Sequence, residues 1–179
     1  MLPHHANDWR RLLLSCCLLA AGAAHALPSD RQQPVKVQAD SASFDQKTGV
    51  AVYTGHVHIQ QGTLEVTGDQ VTLTVDKQGT LQRSVATGKP AHYQQKTDEK
   101  KGVVTADATT IDYDVTNQKM TLTGSKPIGS AKLHQDTNDF QGDTITYLMD
   151  AQQVNSSGGV SLVFLPPPAR TDAGKDKAK

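Results

Sequence analysis

Residues 142–150 read GDTITYLMD: a small residue, an aspartate, an apolar–polar alternation and a closing aspartate, with Gly158 standing 15 residues after Asp143. The same word occurs three more times. Ala39-Asp40 precedes SASFD (41–45) and Gly55, Gly68-Asp69 precedes QVTLTVD (70–76) and Gly88, and Ala106-Asp107 precedes ATTIDYD (108–114) and Gly124. In those three the glycine follows its aspartate by 15, 19 and 17 residues, and the units recur every 29 to 38 residues. Self-similarity at such a period marks stacked units, each too small to bury its own apolar face alone.

The repeat also predicts how the chain bends. Leu64 and Val66 give way to Val71, Leu73 and Val75 after Asp69, and Phe140 gives way to Ile145, Tyr147 and Met149 after Asp143. Val35 and Val37 pass likewise to Ala42 and Phe44, and Val104 and Ala106 to Thr109, Ile111, Tyr113 and Val115. Side chains alternate faces along a strand, so a slip of one residue turns the apolar set outward unless the chain itself turns. A bulge or corner at each aspartate, carrying the strand into a facing sheet, resolves all four slips. Asp40, Asp69, Asp107 and Asp143 are therefore expected as corner residues bonding turn amides, rather than as calcium ligands or catalytic acids.

Between Pro34 and Leu165 nearly everything reads as strand, in period-two runs such as VAVYTG, HVHIQ, TLEVTG, MTLTG and VSLVFL. Turn signals punctuate them at Lys47-Thr48-Gly49, Gln61-Gly62, Asp76-Lys77-Gln78-Gly79, Thr116-Asn117 and Ser156-Ser157-Gly158-Gly159. KTDEKKG (96–102) reads as a long charged hairpin loop. No segment has the periodicity of an amphipathic helix. The expectation is an all-β domain over 34–165, built of about sixteen short strands.

The two ends differ from this domain. Arg10-Arg11, the apolar LLLSCCLLAAGAA (12–24) and the small-x-small Ala24-His25-Ala26 make 1–26 a secretory signal, cleaved near Ala26. The apolar stretch falls short of the ~20 residues a spanning helix needs. Residues 166–179 open with three prolines and continue small and charged, the composition of a disordered tail. Both cysteines, Cys16 and Cys17, lie in the leader, so the mature domain relies on core and hydrogen-bond ladders without a disulfide. Removing Arg10, Arg11 and Asp8 from 18 basic and 18 acidic residues leaves 16 and 17, which gives no electrostatic footprint for nucleic acid.

Catalytic motifs are missing: no G-x-S-x-G, H-E-x-x-H or P-loop, and no cysteine nucleophile. His56 and His58 share a parity that would suit a metal clamp, but no Cys or carboxylate lies beside them in sequence, and a wet strand face accounts for them. Asp112 and Asp114 alternate with Ile111, Tyr113 and Val115, as a solvated outer face does. Neither a metal nor a cofactor is called for. The apolar face carries Phe44, Tyr93, Tyr113, Phe140, Tyr147 and Phe164 amid Thr, Ala and Gly. Such a lining suits either a plain sandwich core or a narrow, incompletely closed trough that takes a ligand. Periodicity alone leaves both open.

QPVKVQAD (33–40), VYTGHVHIQQG (52–62), GKPAHYQ (88–94), GDTITYLMD (142–150) and VSLVFLP (160–166) resemble, in order and over nearly the whole mature domain, the periplasmic lipopolysaccharide-transport bridge proteins of the LptA/OstA family. That resemblance implies an open, slightly twisted β-jellyroll of sixteen antiparallel strands, whose groove carries the lipid part of lipopolysaccharide. It implies end-to-end stacking across the periplasm, between an inner-membrane-anchored partner and an outer-membrane partner of the same fold. The cleavable leader and the lack of barrel sequence set this chain apart from those two partners. Family groove contacts map onto Val35, Tyr93, Tyr113 and Val115, with a Tyr hydroxyl at 93 where the family more often has Phe. Inward parity adds Val37, Phe44, Ile111, Phe140 and Tyr147. Val160, Leu162 and Phe164 alternate along a last strand that no charge interrupts, an edge suited to pairing with a second chain. The competing expectations are a lipid-free structural scaffold and an envelope enzyme acting on sugars.

Overall fold

The structure is a computed structural model that describes residues 29–96, 102–125 and 129–164. The leader, most of the 96–102 loop and the proline-led tail fall outside the described residues. Twelve antiparallel strands follow one another: β1 (Lys36–Gln38), β2 (Ser41–Asp45), β3 (Val50–Gln61), β4 (Leu64–Val75), β5 (Leu81–Lys96), β6 (Val103–Asp114), β7 (Lys119–Thr123), β8 (Ala131–Gln135), β9 (Asn138–Gly142), β10 (Thr144–Leu148), β11 (Gln153–Ser157) and β12 (Ser161–Phe164).

The pairing resolves these strands into two layers. One layer runs β1, the C-terminal half of β3, the N-terminal half of β4, the C-terminal half of β5, the N-terminal half of β6, then β8, β9 and β12. We call it layer A. Layer B runs β2, the other halves of β3 to β6, then β7, β10 and β11. The sequence pattern counts about sixteen short strands because each layer does hold eight segments. Only twelve continuous strands result, because β3, β4, β5 and β6 pass unbroken through the bend and serve both layers. The architecture is an open jellyroll whose layers join along one spine. Among the described residues no strand pairing joins them on the opposite margin.

The corners lie where the phase slips predict them. Register shifts interrupt the ladders between Thr54 and Val57, Thr67 and Gln70, and Thr87 and Ala91. Asp40 separates β1 from β2, and Asp143 separates β9 from β10. The glycine of each terminal unit faces its aspartate across the ladder. Asp40 N–H donates to Gly55 O at 2.9 Å and Asp143 N–H to Gly158 O at 2.7 Å. Both glycines have positive φ, +80° and +75°, and the Asp carboxylate occupies the place a Cβ would need.

One expectation about these aspartates is corrected. Among the described residues no corner carboxylate bonds a turn amide; Asp40 and Asp107 instead pair with His56 Nδ1 and His92 Nδ1, each at 2.8 Å. Amide bonding belongs to the second aspartate of the first three units, at the hairpin tips of layer B. Asp45 Oδ1 accepts from Lys47 N–H, Asp76 Oδ1 from Gln78 and Thr80 N–H, and Asp114 Oδ1 from Asn117 N–H. These Asx turns depress the Asp45 carboxyl, chiefly through the Lys47 amide, and the Asp114 carboxyl, chiefly through the Asn117 side chain. A tip has free amides that a short carboxylate reaches locally, whereas a corner has its amides already in the ladder.

Two further details depart from the sequence pattern. Ser156 and Ser157 belong to β11, so that turn begins only at Gly158. Upstream of Pro34, Asp30–Gln32 forms a 3-10 turn over the β3–β4 hairpin, where the buried Asp30 accepts Thr63 Oγ1–H at 2.5 Å.

Candidate functional site

Directly opposed residues in a sheet share a face, so following the register across strands identifies what lines the space between the layers. In layer A one such line runs Val37, Ile59, Val66, Tyr93, Ala106, Leu133, Phe140 and Leu162, with no polar residue except the Tyr93 hydroxyl. In layer B the facing lines include Phe44, Ala51, Leu73, Ser84, Tyr113, Met120, Tyr147 and Val154, and nearer the spine Tyr53, Val71, Ala86, Ile111, Leu122 and Ile145. The layers therefore enclose an apolar interior that runs the length of the stack.

Burial along that interior is uneven. Its middle is a packed core: Val71, Met120, Leu122, Leu133 and Ile145 are sealed from solvent. Its ends are not. At the β1–β2 end Val35 is 56% and Phe44 57% exposed, and at the β12 end Leu162 is 46% and Phe164 60% exposed. Phe164 rests edge-on against Phe140, centroids 6.0 Å apart. Between a plain core and an open trough, the molecule combines both.

The residues singled out from sequence distribute accordingly. Tyr93, Ile111 and Tyr147 lie buried in the centre, Val37, Tyr113 and Phe140 pack partly against it, Val115 is half-buried just beyond β6, and Val35 and Phe44 stand at the open end. Leu162 and Phe164 lie on β12, while Val160 precedes it, exposed. Among the described residues β1 pairs only with β3, and β12 only with β9, so each presents a free edge. Sequence inspection passed over Tyr53, Leu73, Met120, Leu122 and Val154 as lining residues, although the same parity marks them.

Polar groups line the margin opposite the spine. Tyr93 Oη–H donates to Gln95 Oε1 at 2.6 Å, and Gln135 Nε2–H donates to Tyr147 Oη at 3.3 Å. Burial pushes the Tyr93 phenol well above its ordinary range, with Tyr113 and Tyr147 adding to the shift, and burial likewise raises Tyr147. All four described histidines face carboxylates instead of converging. His56 pairs with Asp40, His58 with Glu65 (3.1 Å), His92 with Asp107 and His134 with Asp139 (2.7 Å). Asp112 is held by both Nε and Nη2 of Arg83. A concavity of about 350 Å³ on layer A is bordered by Asp107, Lys132, His134, Asp139 and Ser161, with Leu133 and Phe140 also in its lining.

A twelve-stranded open jellyroll with an apolar interior accessible at both ends has a clear counterpart among known proteins. Residues 36–153 match the family described as LptA/(LptD N-terminal domain) LPS transport protein. The chain belongs to this family. It is 43% identical over 154 residues to the lipopolysaccharide export system protein LptH of Pseudomonas aeruginosa, covering 86% of this chain and 85% of that one. Against the lipopolysaccharide export system protein LptA of Escherichia coli K12 it is 33% identical over 148 residues, 81% of this chain and 76% of the other. The crystal structure of P. aeruginosa LptH, titled the LptA-homologous periplasmic component of the conserved lipopolysaccharide transport device, superposes with a TM-score of 0.66 at 39% identity, covering 78% of this chain and all of that one. The LptA-family match runs from β1 through β10 and stops at the first residue of β11, so it takes in most of both layers and the β1 edge.

Proposed function

We propose that this LptA-family protein is a periplasmic carrier that relays lipopolysaccharide from the inner to the outer membrane. It would shelter the acyl chains of the lipid between its layers, with Val35, Val37, Phe44, Tyr93, Ile111, Tyr113, Val115, Phe140 and Tyr147 as the lining. The observation that carries this reading is the unbroken apolar line of layer A, from Val37 to Leu162, which reaches both free edges. A methylene removed from water is worth ~0.8 kcal/mol, so several acyl chains cannot cross an aqueous gap unsheltered. Among the described residues the layers are tied by backbone along the spine alone, which would let them part at the other margin and pass chains in and out without covalent chemistry. Direction then comes from an energy source elsewhere.

The same geometry supports end-to-end assembly. Eight segments per layer make β12 run opposite to β1, so a second copy placed at either end continues the antiparallel ladder. Joining a front edge to a back edge is a heterologous contact, which grows an open filament. An inner-membrane-anchored partner at one end and an outer-membrane partner at the other would join by the same strand addition. Residues 1–26 serve as the secretory signal in this scheme. The sealed centre by itself would also suit a lipid-free scaffold, and lipid contact separates the two. Photo-crosslinkers at Val35, Phe44 and Tyr113 should each yield a lipopolysaccharide adduct in cells; adducts from none of the three would overturn the carrier role.

A further inference from the structure

The interior is apolar except along its margin, where Tyr93, Gln95, Gln135 and Tyr147 cluster. Their phenol rings are buried, and their amides are half-exposed, so the four mark the boundary between the oily interior and water. Tyr93 and Gln95 belong to β5 and Gln135 to β8, all in layer A, whereas Tyr147 belongs to β10 in layer B. The Gln135–Tyr147 bond therefore spans the two layers on the side where, among the described residues, no backbone pairing ties them.

We propose that these four residues form a polar collar that reads the carbonyl linkages between acyl chains and sugar, so that the groove prefers ester- or amide-linked glycolipids to bare hydrocarbon. This rests on the carrier reading above. Chains that wedge the layers apart must break the bond between Gln135 and Tyr147. Polar groups left unpaired at a buried margin are costly, so the occupant has to replace what it removes. Tyr147 is bonded only as an acceptor among the described residues, which leaves its hydroxyl proton to donate. Gln135 Nε2 is likewise a donor once released, and the Tyr93 hydroxyl, a second one, donates to Gln95 Oε1 until another acceptor displaces it. Donors gathered along this margin suit acceptors, and an acyl carbonyl is an acceptor held one bond from the first apolar methylene. Alkyl chains without a carbonyl enter the same apolar space but leave the collar unpaired.

The test uses two glycolipids with the same sugar and chain length, one ester-linked and one ether-linked, titrated calorimetrically into the full mature chain. Wild type should bind the ester form about five- to tenfold more tightly, since each neutral hydrogen bond regained is worth about two- to tenfold. Tyr147→Phe and Gln135→Leu should each bring that ratio toward one, by weakening the ester form more than the ether form. Tyr93→Phe, the most conservative change, should lower the ratio in a variant whose melting temperature is unchanged. Equal affinity of wild type for both lipids, or variants that weaken both alike, would overturn the collar yet leave the carrier intact. Binding of neither lipid would overturn the carrier and the collar together.

Discussion

The centre and the ends of the interior are built from the same kind of residue and do different work. Leu133 and Leu162 sit on one line across layer A, separated only by Phe140, yet Leu133 is 1% exposed and Leu162 46%. Leu133 has layer B over it and a strand on either side. Leu162 is on the last strand, with a neighbour on one side only. The difference teaches that stability resides in the middle, while the ends leave apolar surface open, where the proposed assembly would cover it. Exposed apolar patches of that kind mark interaction sites.

The largest effect should separate the two leucines directly. Leu133→Ala is expected to cost ~2–5 kcal/mol, as buried Leu truncations do, and Leu162→Ala under ~1 kcal/mol. Urea unfolding of both variants reads this, and equal losses would erase the distinction between centre and end. Association should show the reverse order. Leu162→Asp places a charge on the free edge, so light scattering should show concentration-dependent association lost, with the melting temperature nearly unchanged. If that variant associates like wild type, the β12 edge is not the joint.

The ends lack a core, so their corners must hold the layers by backbone geometry. Adding a Cβ at Gly55 meets Asp40 Oδ2 and also Asp40 Cβ, the latter at 2.8 Å, on a residue with φ of +80°. Gly79, at a hairpin tip, has nearly the same φ, +82°, and nothing within 4 Å. Gly55→Ala should therefore cost ~2–3 kcal/mol and Gly79→Ala only ~1 kcal/mol, the strain without the clash. Similar melting temperatures for the two variants would show that the Asp–Gly corner adds nothing beyond its dihedral angle.

The smallest effect is on pH, and it too belongs to the ends and tips rather than to the centre. The His56 imidazole is raised from its ordinary 6.5, first by its hydrogen bond to Asp40 and then by the charges of Asp40 and Asp69. A raised folded value means its contribution is complete below about 6.5 and is lost as pH climbs through the higher folded value. The depressed carboxyls of Asp45 and Asp114 act oppositely: their contribution is complete above about 3.8 and is lost as pH falls through the lower folded values. Melting temperature should thus decline slightly above neutrality and again in strong acid. His56→Gln should flatten the alkaline decline alone, and an unaltered curve would remove His56 from the account.

Much of the fold was legible because a strand's period of two leaves no freedom: once four runs change parity at a small-Asp pair, the chain must turn there, and it does. The register shifts at Thr54/Val57 and Thr67/Gln70 are that inference in three dimensions. The expected strand count exceeded the observed one because a corner without a turn breaks the pattern while leaving the strand intact. Family resemblance was equally legible, since GKPAHYQ and GDTITYLMD keep their order along one chain. Parity also fixed which residues face inward, Tyr93, Ile111 and Tyr147 among them. What parity could not hold is depth, because residues on one face look alike whether a second layer covers them or not. Only the stacking of layer B over layer A buries Leu133 and leaves Phe44 and Phe164 open. Nor does a local pattern assign the two aspartates of each unit. Which one bonds amides depends on whether those amides are spent in a ladder, and ladders form between strands far apart in sequence. The pairing of Gln135 with Tyr147 across the layers is of the same kind, settled when two sheets close on each other.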